Sequence, residues 1–360
     1  MLWLAGLMGV MAVGAVAYVD PYASDNEEDE TSESFESPKS SDALSTNIGH
    51  DSAESFIPED IFEADYDPRG GDDAALLPPL VLSAADQVTL TDGTDGDDQI
   101  TGTEGNDRMR GMDGADVLNS GTGNDELRGD AGDDTLDGNA GNDTLHGHDG
   151  GDVLHGGSED DDLFGHNADD ILFGDDGDDT LQGSAGNDAL YGNEGDDTLM
   201  GGLDDDMLIG GHGADVLFGG WGNDMLSGIL NDGSGHDDHT SDFLNGGGGD
   251  DSILAGAGDI ITGGEGADEI VLGGWITDGE AAHILDYTVE DDNLVLVWDD
   301  SASDSVEPRV TLTADPDMSD QTLVLMDGAV IATVNGTDLL PGDIALIPLS
   351  TAAQIGLAAG

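Results

Sequence analysis

From Gly93 to Ser227 an apolar residue returns every nine positions without a break: Ile100, Met109, then leucine at each step from Leu118 to Leu226. Its neighbours on either side vary, so the seventh to ninth positions of each unit, as in Thr198-Leu199-Met200, predict a three-residue strand. Side chains alternate along a strand, which turns the middle residue inward and the outer two outward. The first six positions, as in Gly192-Asn193-Glu194-Gly195-Asp196-Asp197, predict a turn. Glycine supplies the positive φ angles that such a turn needs and lets carbonyl groups point into a small space. Two nonapeptides then make one coil of strand, turn, strand, turn, and coils stack at about 4.8 Å, the strand spacing of a sheet. The expected fold is all-β: a parallel β-roll, two short sheets around a thin apolar ladder.

The period breaks after Ser227. Residues 228–245 hold one unit with about nine extra residues, within 231–241, and further units follow at Gly246 to Leu254 and Gly263 to Val271 with a shortened one between them. Leu80-Val81-Leu82 and Val88-Thr89-Leu90 are short strands leading in, which sets the roll at residues 80–271. Residues 272–360 then read as a small β-rich C-terminal domain. His283 to Tyr287 and Asn293 to Trp298 are its first strand-like runs. Thr322 to Met326, a turn at Asp327-Gly328 and Ala329 to Val334 make a hairpin. Upstream, residues 1–19 carry no charge and are almost all apolar, just long enough to span a bilayer as a helix and so to contact a membrane. A cleaved signal peptide is the competing reading, with Ala15-Val16-Ala17 as a small-residue cleavage site. Residues 20–79, rich in Ser, Asp and Glu, read as an acidic disordered linker, in which Phe56, Ile57, Ile61, Phe62 and Tyr66 form a small docking segment.

Charge changes the picture. The chain has 81 Asp and Glu against 6 Lys and Arg, a formal charge of −75. Self-repulsion at that level opposes a compact state unless counter-ions are taken up. Nucleic acid is excluded as a partner, because phosphate contact needs a basic patch. With no cysteine, disulfides and thiolate metal sites are both absent, and a bound metal becomes the available staple.

The sixth position of the nonapeptide supplies the ligand chemistry, being Asp in all fifteen units. Successive turns fall on opposite edges of the roll. One edge carries Asp98, Asp116, Asp134, Asp152, Asp170, Asp188, Asp206 and Asp224; the other carries Asp107, Asp125, Asp143, Asp161, Asp179, Asp197 and Asp215. Carboxylates and turn carbonyls are the hard oxygen ligands that Ca²⁺ prefers, and an ion between a turn and the turn one coil later can draw on both. Residues 93 to 227 hold 35 Asp and Glu against 3 Arg, a net charge of −32. Seven gaps on one edge and six on the other would admit up to thirteen divalent ions, enough to remove most of that charge.

These units resemble the RTX nonapeptide repeat, G-G-x-G-x-D-x-U-x, over roughly residues 93 to 271. The resemblance implies multiple Ca²⁺ ions and an extracellular or cell-surface location. It also implies type I export through an uncleaved C-terminal signal, with which the uncharged run after Asp343 is compatible. Ala282 to Leu296 is similar to the segment that often follows such arrays. Two departures stand out. The fourth position, Gly in twelve units, is Glu159, Ala168 and Asp204 in the others, which predicts strained turns and weaker ions at Asp161, Asp170 and Asp206. The apolar N-terminus is a feature that type I substrates generally lack, which leaves the export route open.

Catalytic signatures are missing: there is no H-E-x-x-H helix and no G-x-S-x-G elbow. The reading is therefore a calcium-binding β-roll without catalysis of its own, folding on Ca²⁺ binding, in a structural or adhesive role. The alternatives are a hydrolase with an unrecognised site in the C-terminal domain, or a calcium buffer or export module. His236-Asp237-Asp238-His239 reads as a solvated loop, and His148 and His166, one coil apart, as occupants of a variable turn position. On the outer face of the odd-numbered units, Ile171 with Phe173, Ala189 with Tyr191 and Met207 with Ile209 predict an apolar patch. Its expected occupant is either the C-terminal region or a partner at the surface, a second copy included.

Overall fold

The structure, a computed structural model, describes residues 88–355 apart from 230–239, 274–275, 277–279, 302–304 and 337. The apolar segment 1–19, the acidic linker 20–79, the lead-in strand at Leu80 to Leu82 and the His236 loop lie outside the described residues. Among the described residues no helix is long and apolar enough to cross a membrane.

The array winds as a parallel β-solenoid of about ten turns over residues 89–272. Alternate strands belong to alternate sheets, one of fourteen strands and one of twelve. The register is that of the 18-residue coil: Leu172 pairs with Leu154 and Leu190, and Leu181 with Leu163 and Leu199. The inward leucines from Leu118 to Leu226 are all fully buried and form one continuous core.

Strand length differs from the expectation. Most strands of the array run for six residues, such as Thr180–Ala185 and Thr198–Leu203. The ladder continues past the ninth position into the first three residues of the next unit, where the first-position glycine turns inward beside the leucine. Only the fourth to sixth positions remain as the turn. Pairing over six residues satisfies more main-chain groups in a body too thin to bury many side chains.

The irregular segment leaves the ladder intact. Val216 pairs with Phe243 and Met225 with Ser252, 27 residues on, so the same register resumes after the insertion. The shortened unit then spaces Phe243 from Ile260 by 17 residues without loss of register.

The C-terminal region continues both sheets. Strand Ala282–Ile284 pairs in parallel with Ile260–Glu265 and with Ala329–Asn335, which leads the antiparallel strands Gln321–Met326 and Val310–Ala314. Strand Asn293–Trp298 pairs with Glu269–Gly273 on one side and Ile344–Pro348 on the other. Ile284, Leu294, Val324 and Val334 extend the same core that begins at Ile100. An open roll ends in unpaired strand edges and the bare end of its leucine ladder, and these strands cover both. Helix Leu349–Ile355 follows, with Ala352 buried against Val271, Val295 and Val297.

The apolar pairs on the twelve-stranded sheet stack in register, Ile171 on Ala189 on Met207 and Phe173 on Tyr191 on Ile209. The rings of His155, Phe173 and Tyr191 lie face to face, with centroids 4.6 and 4.9 Å apart. The C-terminal strands join the end of the roll and, among the described residues, do not cover this face.

Candidate metal centre

Each turn places its aspartate in the same way. The main-chain N–H of Asp143 donates to Oδ1 of Asp161 at 2.7 Å, and that of Asp161 to Oδ1 of Asp179 at 2.8 Å. The carbonyl of Asp143 accepts from Asp162 N at 2.9 Å. These links chain the aspartates into two columns, one on each edge. The first runs from Asp98 through Asp116, Asp134, Asp152, Asp170, Asp188, Asp206 and Asp224. The second runs from Asp107 through Asp125, Asp143, Asp161, Asp179 and Asp197 to Asp215. The expected sorting onto two edges is thus the sorting the hydrogen bonds draw.

One atom of most of these carboxylates is left over. At every step from Asp116 to Asp206, and at Asp224, the Oδ2 oxygen is buried with no hydrogen-bond partner. A buried polar atom without a donor is costly, and a buried negative one more so. Burial first, and then the charges of column neighbours, push these acids up. Asp143 rises to about 7, and Asp161, Asp170 and Asp197 to about 8, against the pull of the main-chain N–H on Oδ1.

The free oxygens face a space kept open by glycine. A Cβ built on Gly138 would lie 2.5 Å from Asp143 Oδ2 and 2.6 Å from the carbonyl oxygen of Gly156. On Gly192 it would meet Asp197 Oδ2 at 2.2 Å and the Gly210 carbonyl at 2.6 Å. This glycine has no positive φ, so what it provides is room, into which a carboxylate oxygen and a carbonyl oxygen from the next coil converge. A site lined by hard oxygens with a surplus negative charge fits Ca²⁺. The residues that would hold it are the column aspartates and the carbonyls of the first-position glycines.

The first turns depart from the pattern. Asp98 is half-buried, and its Oδ2 accepts from the N–H of Thr94 at 2.6 Å and from the Thr94 hydroxyl at 2.8 Å. Asp107 Oδ2 likewise accepts from Thr103 N at 2.5 Å and Oγ1 at 3.0 Å. The threonine at the second position therefore occupies, in the two N-terminal units, the oxygen that has no donor from Asp116 to Asp206. In the unit of Asp125 the first position is Ser120, whose hydroxyl donates to the Gly138 carbonyl at 2.7 Å and so takes up one of the converging oxygens.

Sequence reasoning stopped its ligand set at Asp224, yet the columns go on. Asp242 Oδ1 accepts from Asp215 N, Asp251 Oδ1 from Asp224 N, and Asp259 and Asp268 follow. The Oδ2 atoms of Asp251 and Asp268 are again buried without a donor. The signal was present, since Asp251 and Asp268 are the sixth residues of the units starting at Gly246 and Gly263. The turns at Glu159, Ala168 and Asp204 keep positive φ, at 72°, 76° and 74°, where fourth-position glycines such as Gly132 and Gly150 take 130° and 134°. Elsewhere, His283 of the C-terminal region sets its Nδ1 2.7 Å from Thr333 Oγ1.

Comparison with known families agrees with this geometry. The RTX calcium-binding nonapeptide repeat, in blocks of four copies, matches residues 92–127, 120–154, 128–163, 146–181, 164–199, 173–208, 191–226, 240–270 and 258–274. None of the curated proteins matches the chain.

Proposed function

Because residues 92–274 are RTX calcium-binding nonapeptide repeats that take several calcium ions, we propose that the protein is an extracytoplasmic scaffold that folds when calcium fills its two aspartate columns. The observation that carries this reading is the row of buried Oδ2 atoms without donors. When bound, calcium supplies the positive charge that those oxygens and the net charge of −32 over the array lack. Without it, the roll has only a single-file apolar ladder to set against the repulsion of two stacked columns of carboxylate.

The protein's own residues do the rest. The Oδ1 hydrogen bonds fix each carboxylate in one orientation, and the first-position glycines hold the space open. The buried leucines set the coil spacing, which in turn sets the spacing of the sites. Such a body presents two long outer faces, which supports a structural or adhesive role at or beyond the cell surface. Modules of that setting bind calcium at about 10⁻⁴–10⁻³ M and would stay unfolded where free calcium is scarce.

Circular dichroism during a calcium titration at neutral pH tests the proposal. The β signal should grow cooperatively with calcium and disappear in excess chelator. A full β signal in chelator at pH 7.5 would overturn it. Mass spectrometry of the N-terminus of the exported chain, with fractionation of cells and medium, tests the location.

A further inference from the structure

Three histidines meet on the outer face of the fourteen-stranded sheet, away from both aspartate columns. His146 and His148 lie on strand Thr144–Asp149, on either side of the inward Gly147. His166 lies on the neighbouring strand Asp162–Asn167 and pairs in register with His148. His148 and His166 stack with ring centroids 4.6 Å apart, and His146 Nδ1 is 3.0 Å from His166 Nε2. One coordinating nitrogen from each of the three lies within 4.8 Å of the other two.

The contact from His146 to His166 follows a diagonal that recurs on the roll, from a ninth position to the second position of the next coil. At two other places the diagonal joins a basic side chain to a carboxylate: Arg110 meets Asp130, and His155 Nδ1 lies 3.3 Å from Asp175 Oδ2. At His146 it joins two bases instead, which share a single N–H. All three rings are half-buried, and Phe164 stacks on His146 with centroids 4.8 Å apart. Burial first, and then the neighbouring His166, His148 and Arg128, push His146 down to about 4. Burial and His148 lower His166 as well. Both shifts favour the neutral ring, which offers a lone pair.

We propose that His146, His148 and His166 form a binding site for a borderline divalent transition ion, of which Zn²⁺ is the type, chemically separate from the calcium columns. Imidazole nitrogen suits zinc, copper or nickel and is a poor match for Ca²⁺, which takes oxygen. Three nitrogens at about 2.0–2.1 Å from one zinc ion stand roughly 3.3 Å apart. His146 and His166 already meet that separation, and His148 needs a small ring rotation. On binding, the ring that donates the N–H between His146 and His166 moves that proton to its other nitrogen through solvent, so both rings bind as neutral imidazoles with no net proton released. The ion then joins two adjacent coils through side chains, whereas calcium joins them through the turns. Three protein ligands leave one position open for water.

The test uses the full chain saturated with calcium, so that the carboxylates are occupied, and titrates Zn²⁺ by calorimetry. One zinc per chain should bind tightly. His166→Gln should weaken that event at least tenfold and remove the rise in thermal midpoint that zinc gives the unaltered chain. His236→Gln with His239→Gln should leave both unchanged. His166 is exterior to the core, and a β signal in calcium equal to that of the unaltered chain verifies that the variant folds. If His166→Gln fails to fold, His148→Gln replaces it with the same expected outcome. Zinc uptake unaffected by these variants, or no zinc uptake by the calcium-saturated chain, overturns the proposal.

Discussion

At the scale of the residue, the unit is defined by one glycine and one aspartate that share a space. Ser120 is the exception, and it makes the rule testable. Its hydroxyl fills the cradle beside Asp125 and takes the Gly138 carbonyl. Ser120→Gly is expected to free that carbonyl and add one calcium ion per chain, or tighten the weakest site severalfold, in equilibrium dialysis. Asp143→Ala should have the opposite effect, losing at least one ion, while Thr144→Ala, on the outer face, should leave the count unchanged. The raised acids make a second prediction, whose sign depends on the metal. Without calcium, Asp143, Asp161, Asp170 and Asp197 are easier to bury when protonated. Their contribution to folding is then full below about pH 4 and is lost as pH rises through 7 to 8. With calcium, protons compete for the ligands and acid weakens the fold. In chelator the β signal should therefore be larger at pH 5 than at pH 8. In limiting calcium it should be larger at pH 8. Identical signals at the two pH values in chelator would contradict the burial of these groups.

At the scale of the element, the turn is the strained part. Fourth-position glycines take φ well beyond the left-handed well of ordinary residues; at Gly141, φ is 122° and a Cβ would lie 1.9 Å from the Gly123 carbonyl oxygen. Gly141→Ala should cost on the order of 2 kcal/mol at saturating calcium, because the backbone of two coils must shift. Ala168, held at φ 76° without a polar side chain to favour it, offers the converse. Ala168→Gly should stabilise by roughly 0.5–1 kcal/mol, seen as a higher thermal midpoint. These turns also show what a sequence can carry. The leucine ladder and the two aspartate edges were legible, because a strict period of nine fixes what stacks on what. The six-residue strands were not, because the first-position glycine has no side chain to reveal that it faces inward. The threonines that satisfy Asp98 and Asp107 were passed over for a similar reason, since the second position varies from unit to unit and only coordinates show what it touches. His146 was missed beside His148 and His166 because the diagonal that joins them spans 20 residues, not the 18 of the coil.

At the scale of the whole molecule, the roll is a stack in which each coil touches only its neighbours, so its ends decide how well it holds. The C-terminal region reads as a separate domain in sequence because the nine-residue period stops, yet its strands add to the same two sheets. What changes at residue 272 is the connection and not the ladder. Ile261, Ile270 and Leu272 are buried only because Ile284, Leu294, Leu296 and their neighbours extend the core beyond them. A chain ending at Gly273 would expose those side chains together with the open edges of strands Ile260–Glu265 and Glu269–Gly273. Two consequences are expected. The last coil would have to be held by calcium alone, so the midpoint of the calcium titration should move to a severalfold higher concentration. The bare edges would recruit one another, so the shortened chain should sediment as an oligomer in calcium and as a monomer in chelator, where the edges do not form. An unchanged calcium midpoint with a monomer under both conditions would show that the array closes itself and that the C-terminal strands serve another end.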